Sequence, residues 1–143
     1  MFSKSESKKI REEFWTQFGK QSPKKWILYD TKIKAIDLKF NFDTKGANLG
    51  IKIDAVDSSQ QEIYWNKFIS LKQLLLDEVS PDFIFDINYE VMPGKYIGYI
   101  YIPLEEKVSI HNKNSWEIVI PFFNKNMLAL EHFFIEYYDI IKA

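Results

Sequence analysis

Residues 35–55 read Ala35-Ile36-Asp37-Leu38-Lys39-Phe40-Asn41-Phe42-Asp43-Thr44-Lys45-Gly46-Ala47-Asn48-Leu49-Gly50-Ile51-Lys52-Ile53-Asp54-Ala55. Up to Phe42 the chain alternates, with Ile36, Leu38, Phe40 and Phe42 on one side and Asp37, Lys39 and Asn41 on the other. It alternates again over 47–55, where Ala47, Leu49, Ile51, Ile53 and Ala55 oppose Asn48, Gly50, Lys52 and Asp54. A period of two is that of a strand with one buried and one wet face. Asp43-Thr44-Lys45-Gly46 supplies turn chemistry, with Gly46 free to take positive φ. This is a β-hairpin, and hairpins make antiparallel sheets.

The pattern returns downstream. Phe83, Phe85, Ile87 and Tyr89 alternate up to Met92-Pro93-Gly94-Lys95, a turn that favours type II geometry. Tyr96 to Leu104 comes back with aromatics on both faces, covered on both sides or displaying Tyr99 and Tyr101. Val108-Ser109-Ile110 can add a short edge strand, and Trp26-Ile27-Leu28-Tyr29 reads as a strand or an ordered loop.

Helices fill the intervals. Ser3 to Gln21 repeats Ile10, Phe14 and Phe18 at every fourth residue, and Ser3 with Glu6 forms a capping box. Asp57-Ser58-Ser59 caps a second helix running to Val79, with Tyr64, Phe68, Leu71 and Leu75 along its inner stripe. A last helix runs from Asn114 or Ser115 to residue 143. In it Trp116, Ile120, Phe123, Met127, Leu130, Phe134, Tyr137 and Ile141 alternate spacings of four and three. That is a heptad seam, which could join two copies, but bulky aromatics at such positions suit a helix lying across a sheet. Pro121 costs ~3 kcal/mol in a helix interior, so a kink or a restart with Pro121 in the first turn is expected.

The order is α-β-β-α-β-β-α. The expected fold is a single α+β domain over 1–143, with an antiparallel sheet of 4–5 strands built from two hairpins and helices packed over one face.

Composition bounds the function classes. The chain has 143 residues, 46% apolar and 17% aromatic, enough for a substantial core and outside the disordered class. It has no cysteine, hence no disulfide, thiolate metal site or cysteine nucleophile. No apolar run approaches the ~20 residues of a membrane span, and Met1-Phe2-Ser3-Lys4 is not a signal peptide, so a cytoplasmic location is expected. Net charge is −1, yet residues 1–60 carry 12 basic against 8 acidic side chains and residues 61–143 carry 7 against 12.

Catalytic motifs are missing. There is no GxGxxG, GxxxxGK[ST] or GxSxG, and His111 and His132 lack ligand spacing. No metal site or cofactor is expected. Pro81-Asp82 with Glu105-Glu106-Lys107, and Asp37-Leu38-Lys39, imitate the acid and acid-x-lysine elements of metal-dependent nucleases. Their placement at a helix–strand junction and in a loop does not assemble a site, and that reading ranks last. The adjacent acids Glu12-Glu13 do not face one another on a helix. For binding, Lys24, Lys25, Trp26, Tyr29, Lys32 and Lys34 interleave cations with aromatics. Lys39 and Lys52 extend the charge onto the hairpin's polar face. Cations meet phosphates and exposed rings stack on bases.

Several stretches resemble a bacterial family known as domain of unknown function 4268. They are Arg11-Glu12-Glu13-Phe14-Trp15-Thr16-Gln17-Phe18-Gly19, Trp26 and Tyr29-Asp30-Thr31. Further along are Val108-Ser109-Ile110-His111-Asn112, Trp116, Phe122-Phe123, Asn126-Met127 and Leu130-Glu131. The resemblance implies kinship with stand-alone domains of about this length, and with domains that follow nuclease-like N-terminal domains in longer proteins. By that association it implies a nucleic-acid or defence setting. It carries over no catalytic residue. The chain departs from the family at Glu117, where proline is common, and at Asp37, where an acid is unusual. Lys39 falls where arginine is common. The sequence therefore predicts a non-catalytic binding or accessory domain with nucleic acid or a nucleic-acid-processing protein as partner. A protein-interaction or homodimer module built on the last helix is the alternative.

Overall fold

The computed structural model describes residues 2–143. The chain forms α1 (Lys4–Gln21), β1 (Ile36–Phe42), β2 (Ala47–Ile53), α2 (Ser58–Ser70), α3 (Lys72–Glu78), β3 (Ile84–Met92) and β4 (Lys95–Pro103). A 3-10 turn (Lys113–Ser115) leads into α4 (Trp116–Glu136) and α5 (Tyr138–Lys142). The four strands make one antiparallel sheet in the order β1-β2-β4-β3, so the α+β reading holds. Val108–Ile110 is not a strand. Val108 and Ile110 are buried in an ordered loop, and the Ile110 N–H donates to the Asp43 carbonyl at 3.0 Å.

The first hairpin pairs in the register that its alternation dictates, from Ile36 opposite Ile53 to Phe42 opposite Ala47. At its turn the Asp43 carboxylate accepts from the N–H groups of Lys45 (2.7 Å) and Gly46 (3.1 Å). That side-chain turn spares Gly46 the positive φ expected of it; among the described glycines Gly94 alone takes one, at +81°. Gly94 follows Pro93, as a type II turn requires.

Helices cover one face of the sheet. α1 docks on β1 through Phe14 and Phe18, whose rings lie 4.8 Å from Phe42 and 5.0 Å from Phe40. α4 crosses β2, burying Val119, Ile120, Phe123, Met127, Leu130 and Phe134. The heptad seam is thus consumed by the core. α2 approaches β4 at Gly98, where a Cβ would stand 3.1 Å from the Trp65 ring.

Three details depart from the periodicities. The second helix is broken: Leu71 (φ −95°, ψ 4°) donates to the carbonyls of both Lys67 and Phe68, and the Ser70 hydroxyl donates to Lys67 O at 2.6 Å. Trp65 rather than Tyr64 is buried beside Phe68 in α2. In β3 a bulge between Asp86 and Tyr89 breaks the alternation, leaving Ile87 55% exposed and moving Tyr89 to the uncovered face. Pro121 neither restarts nor ends α4. It is exposed, as is Glu117, whose carbonyl loses the proline's bond where water can replace it. α4 ends instead at Tyr137 (φ −102°, ψ 16°), from which α5 starts.

Candidate binding face

The face without helices carries three cross-sheet rows. Asp37, Lys52, Tyr99 and Asp86 form the first, Lys39, Gly50, Tyr101 and Ile84 the second, and Asn41, Asn48 and Pro103 the third. At Gly50 the backbones of β2 and β4 come so close that a Cβ would lie 2.2 Å from the Ile100 carbonyl oxygen. Only glycine fits there. The Tyr99 hydroxyl reaches Asn48, two rows from its own partner Lys52, so its ring leans along the sheet past the row that Gly50 leaves empty.

This hydroxyl organises the third row. It donates to Asn48 Oδ1 at 2.7 Å and accepts from Asn41 Nδ2 at 2.9 Å, while Asn41 Nδ2 also donates to Asn48 Oδ1 at 3.0 Å. Tyr99 is fully buried, stacked 4.8 Å from Tyr101, with the Tyr89 ring tilted against it at 4.9 Å. Burial first, with Tyr89 adding to it, pushes the Tyr99 phenol far above the usual tyrosine range. Burial likewise raises Tyr101. Of the two arrangements open for this strand, Tyr99 is covered and Tyr101 is half-buried.

The predicted patch is divided by the structure. Residues 22–34 form an ordered loop along the edge of β1, not a strand, fastened where the Leu38 N–H donates to the Leu28 carbonyl at 2.9 Å. Leu28 and Lys32 take positive φ (49° and 65°). Lys24, Lys25, Trp26 and Tyr29 line a cleft of about 780 Å³ beside the end of α1. Trp26 is half-buried, its indole N–H donating to Ser22 Oγ at 3.3 Å and its ring 5.9 Å from Phe40. Lys24 is committed to Glu131, 2.6 Å away on α4. Glu131 is 1% exposed, and its other oxygen accepts from the Ile27 N–H at 2.5 Å. Lys32 pairs with Asp30 at 2.8 Å, which raises the lysine and lowers the aspartate.

Lys25, Lys34, Lys39 and Lys52 make no ion pair among the described residues. Tyr29, 82% exposed, joins Lys39 and Lys52 around a second cleft of about 380 Å³, with Trp15 and Asp37 also in its wall. Burial and then the neighbouring Lys52 hold Lys39 below the usual lysine range, with Asp37 opposing them. A third cleft, of about 490 Å³, shares Lys39 and continues past Asn41 and Asn48 to Tyr89 and Glu90. Asn41, Asn48 and Tyr89 were not part of the predicted patch. The signal for two of them was present, because the hairpin register sets Asn41 opposite Asn48 on the wet face. Tyr89 was hidden by the bulge.

The nuclease-like acids do not assemble. Asp54, the other acid on the polar face of this hairpin and the one a metal site at Asp37 and Lys39 would need, pairs with Lys95 at 3.6 Å and lines a different cleft from Asp37. Among the described residues no group of three or more acidic or histidine side chains converges as metal ligands do. No helix among them is long and apolar enough to cross a membrane. Set against known proteins, residues 10–138 match the family described as Domain of unknown function (DUF4268). No curated protein and no solved structure matches the chain.

Proposed function

We propose a binding role for this chain, which belongs to the DUF4268 family: a non-catalytic domain that takes single-stranded nucleic acid at the β1 end of its uncovered sheet face. One observation carries the reading. An exposed aromatic, Tyr29, and two lysines without ion pairs, Lys39 and Lys52, surround one cleft. Two ammonium groups held close, one of them partly desolvated, repel each other, and Asp37 offsets only part of that excess, so a further anion is favoured there. A phosphate supplies the anion, and the open ring offers a base a stacking surface. Stacking needs an unpaired base, which favours single strands over duplex. Lys25 and Lys34 widen the positive field along the same edge.

The test is fluorescence anisotropy of labelled oligothymidine and of a matching duplex, titrated with protein at two salt concentrations. The expected result is single-strand preference and affinity that falls with salt. Lys39→Ala and Lys52→Ala should each weaken binding and lower the log–log salt slope by about 0.7. Absence of binding at low salt would refute the reading.

A second reading rests on the outer face of α4, where Leu128 and Ile135 are 49% and 62% exposed. It makes that face a protein interface or the contact between two copies. Sedimentation velocity across a concentration series, with Leu128→Glu as control, tests it. A monomer throughout would remove the two-copy form.

A further inference from the structure

We infer that the cleft between Asn41, Asn48 and Tyr89 receives a nucleobase, read by the two asparagine amides while Lys39 holds the adjoining phosphate. The inference rests on the single-strand reading above and names what that site recognises beyond the backbone.

The hydrogen-bond account leads to it. Asn41 spends Nδ2 on Asn48 and Tyr99, and Asn48 spends Oδ1 on Asn41 and Tyr99. Asn41 Oδ1 and Asn48 Nδ2 have no partner among the described residues, and neither is a sealed, unpaired atom. One acceptor and one donor are therefore left for a ligand in the cleft that both asparagines line. Flipping the Asn48 amide alone would set two NH2 groups against each other, and flipping both amides together only exchanges their roles, so the pair presents one free donor and one free acceptor either way. Each nucleobase carries an adjacent donor and acceptor along one edge, the complement of such a pair. The buried Tyr99 hydroxyl holds the amides before any ligand arrives, which lowers the ordering cost of binding.

Charge separates the two clefts. The one at Tyr29 holds Lys39 and Lys52 against Asp37, an excess of one cation. The one at Asn48 holds Lys39 and Lys45 against Asp43 and Glu90, which balance. An anion suits the first and a neutral polar ring the second. Lys39 lines both, as a phosphate between two such subsites requires.

The experiment compares labelled oligothymidine with an abasic oligomer of the same length and charge. Wild-type protein is expected to prefer oligothymidine about tenfold. Asn48→Asp keeps the oxygen that serves Tyr99 and Asn41 but removes the donor. Its added charge acts on both oligomers alike and cancels in their ratio, so the preference should fall at least about threefold. An unchanged ratio in Asn48→Asp overturns the inference. Equal wild-type affinity for both oligomers also overturns it while leaving the phosphate reading in place, whereas no binding of either overturns both. Should Asn48→Asp not fold, the side-chain amide resonances of Asn41 and Asn48 in the wild-type protein decide. They shift with oligothymidine and stay put with the abasic oligomer, and any other pattern refutes the assignment.

Discussion

Lys24 and Lys25 are neighbours in the chain and equal in composition, yet they stand in different environments. Lys24 is the counter-charge of a buried carboxylate, and Lys25 makes no ion pair among the described residues. Removing Lys24 takes the counter-charge from the buried Glu131 side chain, so Lys24→Ala should cost about 3 kcal/mol in urea denaturation. Lys25→Ala should stay within about 0.5 kcal/mol. Equal losses would show that the Glu131 pair is not what ties the 22–34 loop to α4. Tyr99 makes a prediction about pH. Its folded pKa lies above the unfolded value of about 10, so the unfolded chain releases that proton first as pH rises. The contribution is therefore complete below about pH 10 and is lost above it. Tyr137, pushed up to about 12 by its hydrogen bond to Glu78, acts in the same direction. Tyr99→Phe should lose about 1 kcal/mol at neutral pH through the missing hydroxyl, and its stability should then fall less steeply above pH 10. Circular dichroism across an alkaline titration of both proteins checks this.

The elements show where periodicity reads a sequence well and where it misleads. α1 and the first hairpin follow their patterns because each has a single apolar face and its own end signals, Ser3 with Glu6 and Asp43 with Gly46. β3 does not, because a bulge adds a residue without altering the composition of the strand, and Ile87 and Tyr89 part company there. The long second helix breaks at Leu71 for a reason its stripe could not reveal, since Phe68, Leu71 and Leu75 are all buried on either side of the break. Pro121 is the clearest case of tertiary override. α4 buries enough side chain on the sheet to continue through a residue that should stop it. Pro121→Ala restores the N–H to Glu117 and is expected to raise stability by about 1–3 kcal/mol. Chemical denaturation measures it, and a loss would mean that the ring packs in a way alanine cannot replace.

At the scale of the molecule, one buried cluster joins all three long helices to the sheet, and α5 is part of it. Ile141 is fully buried, the Tyr138 hydroxyl donates to the Thr31 carbonyl at 2.9 Å, and Lys67 of α2 donates to the carbonyls of Ile141 and Ala143. Ile141→Ala should therefore cost about 2–4 kcal/mol, as much as a substitution in the middle of α4, and thermal unfolding of the two side by side tests the equivalence. The sequence by itself determined the α+β class, the two hairpins, the register that sets Asn41 opposite Asn48, and the helix faces that form the core. Those depend on local alternation and on short-range turn and cap chemistry, which neighbouring residues carry between them. The tertiary structure decided which lysines are consumed by ion pairs, that Trp26 packs against Phe40 while Tyr29 stays open, and that Tyr99 lies buried on a face with no helix above it. The pairing of Lys24 with Glu131 and of Asn41 with Tyr99 depends on partners about 60 to 110 residues away in the chain, and even Trp26 meets Phe40 only across the loop that folds back on β1. A one-dimensional pattern holds no distance between such residues, so only the packed chain brings them together.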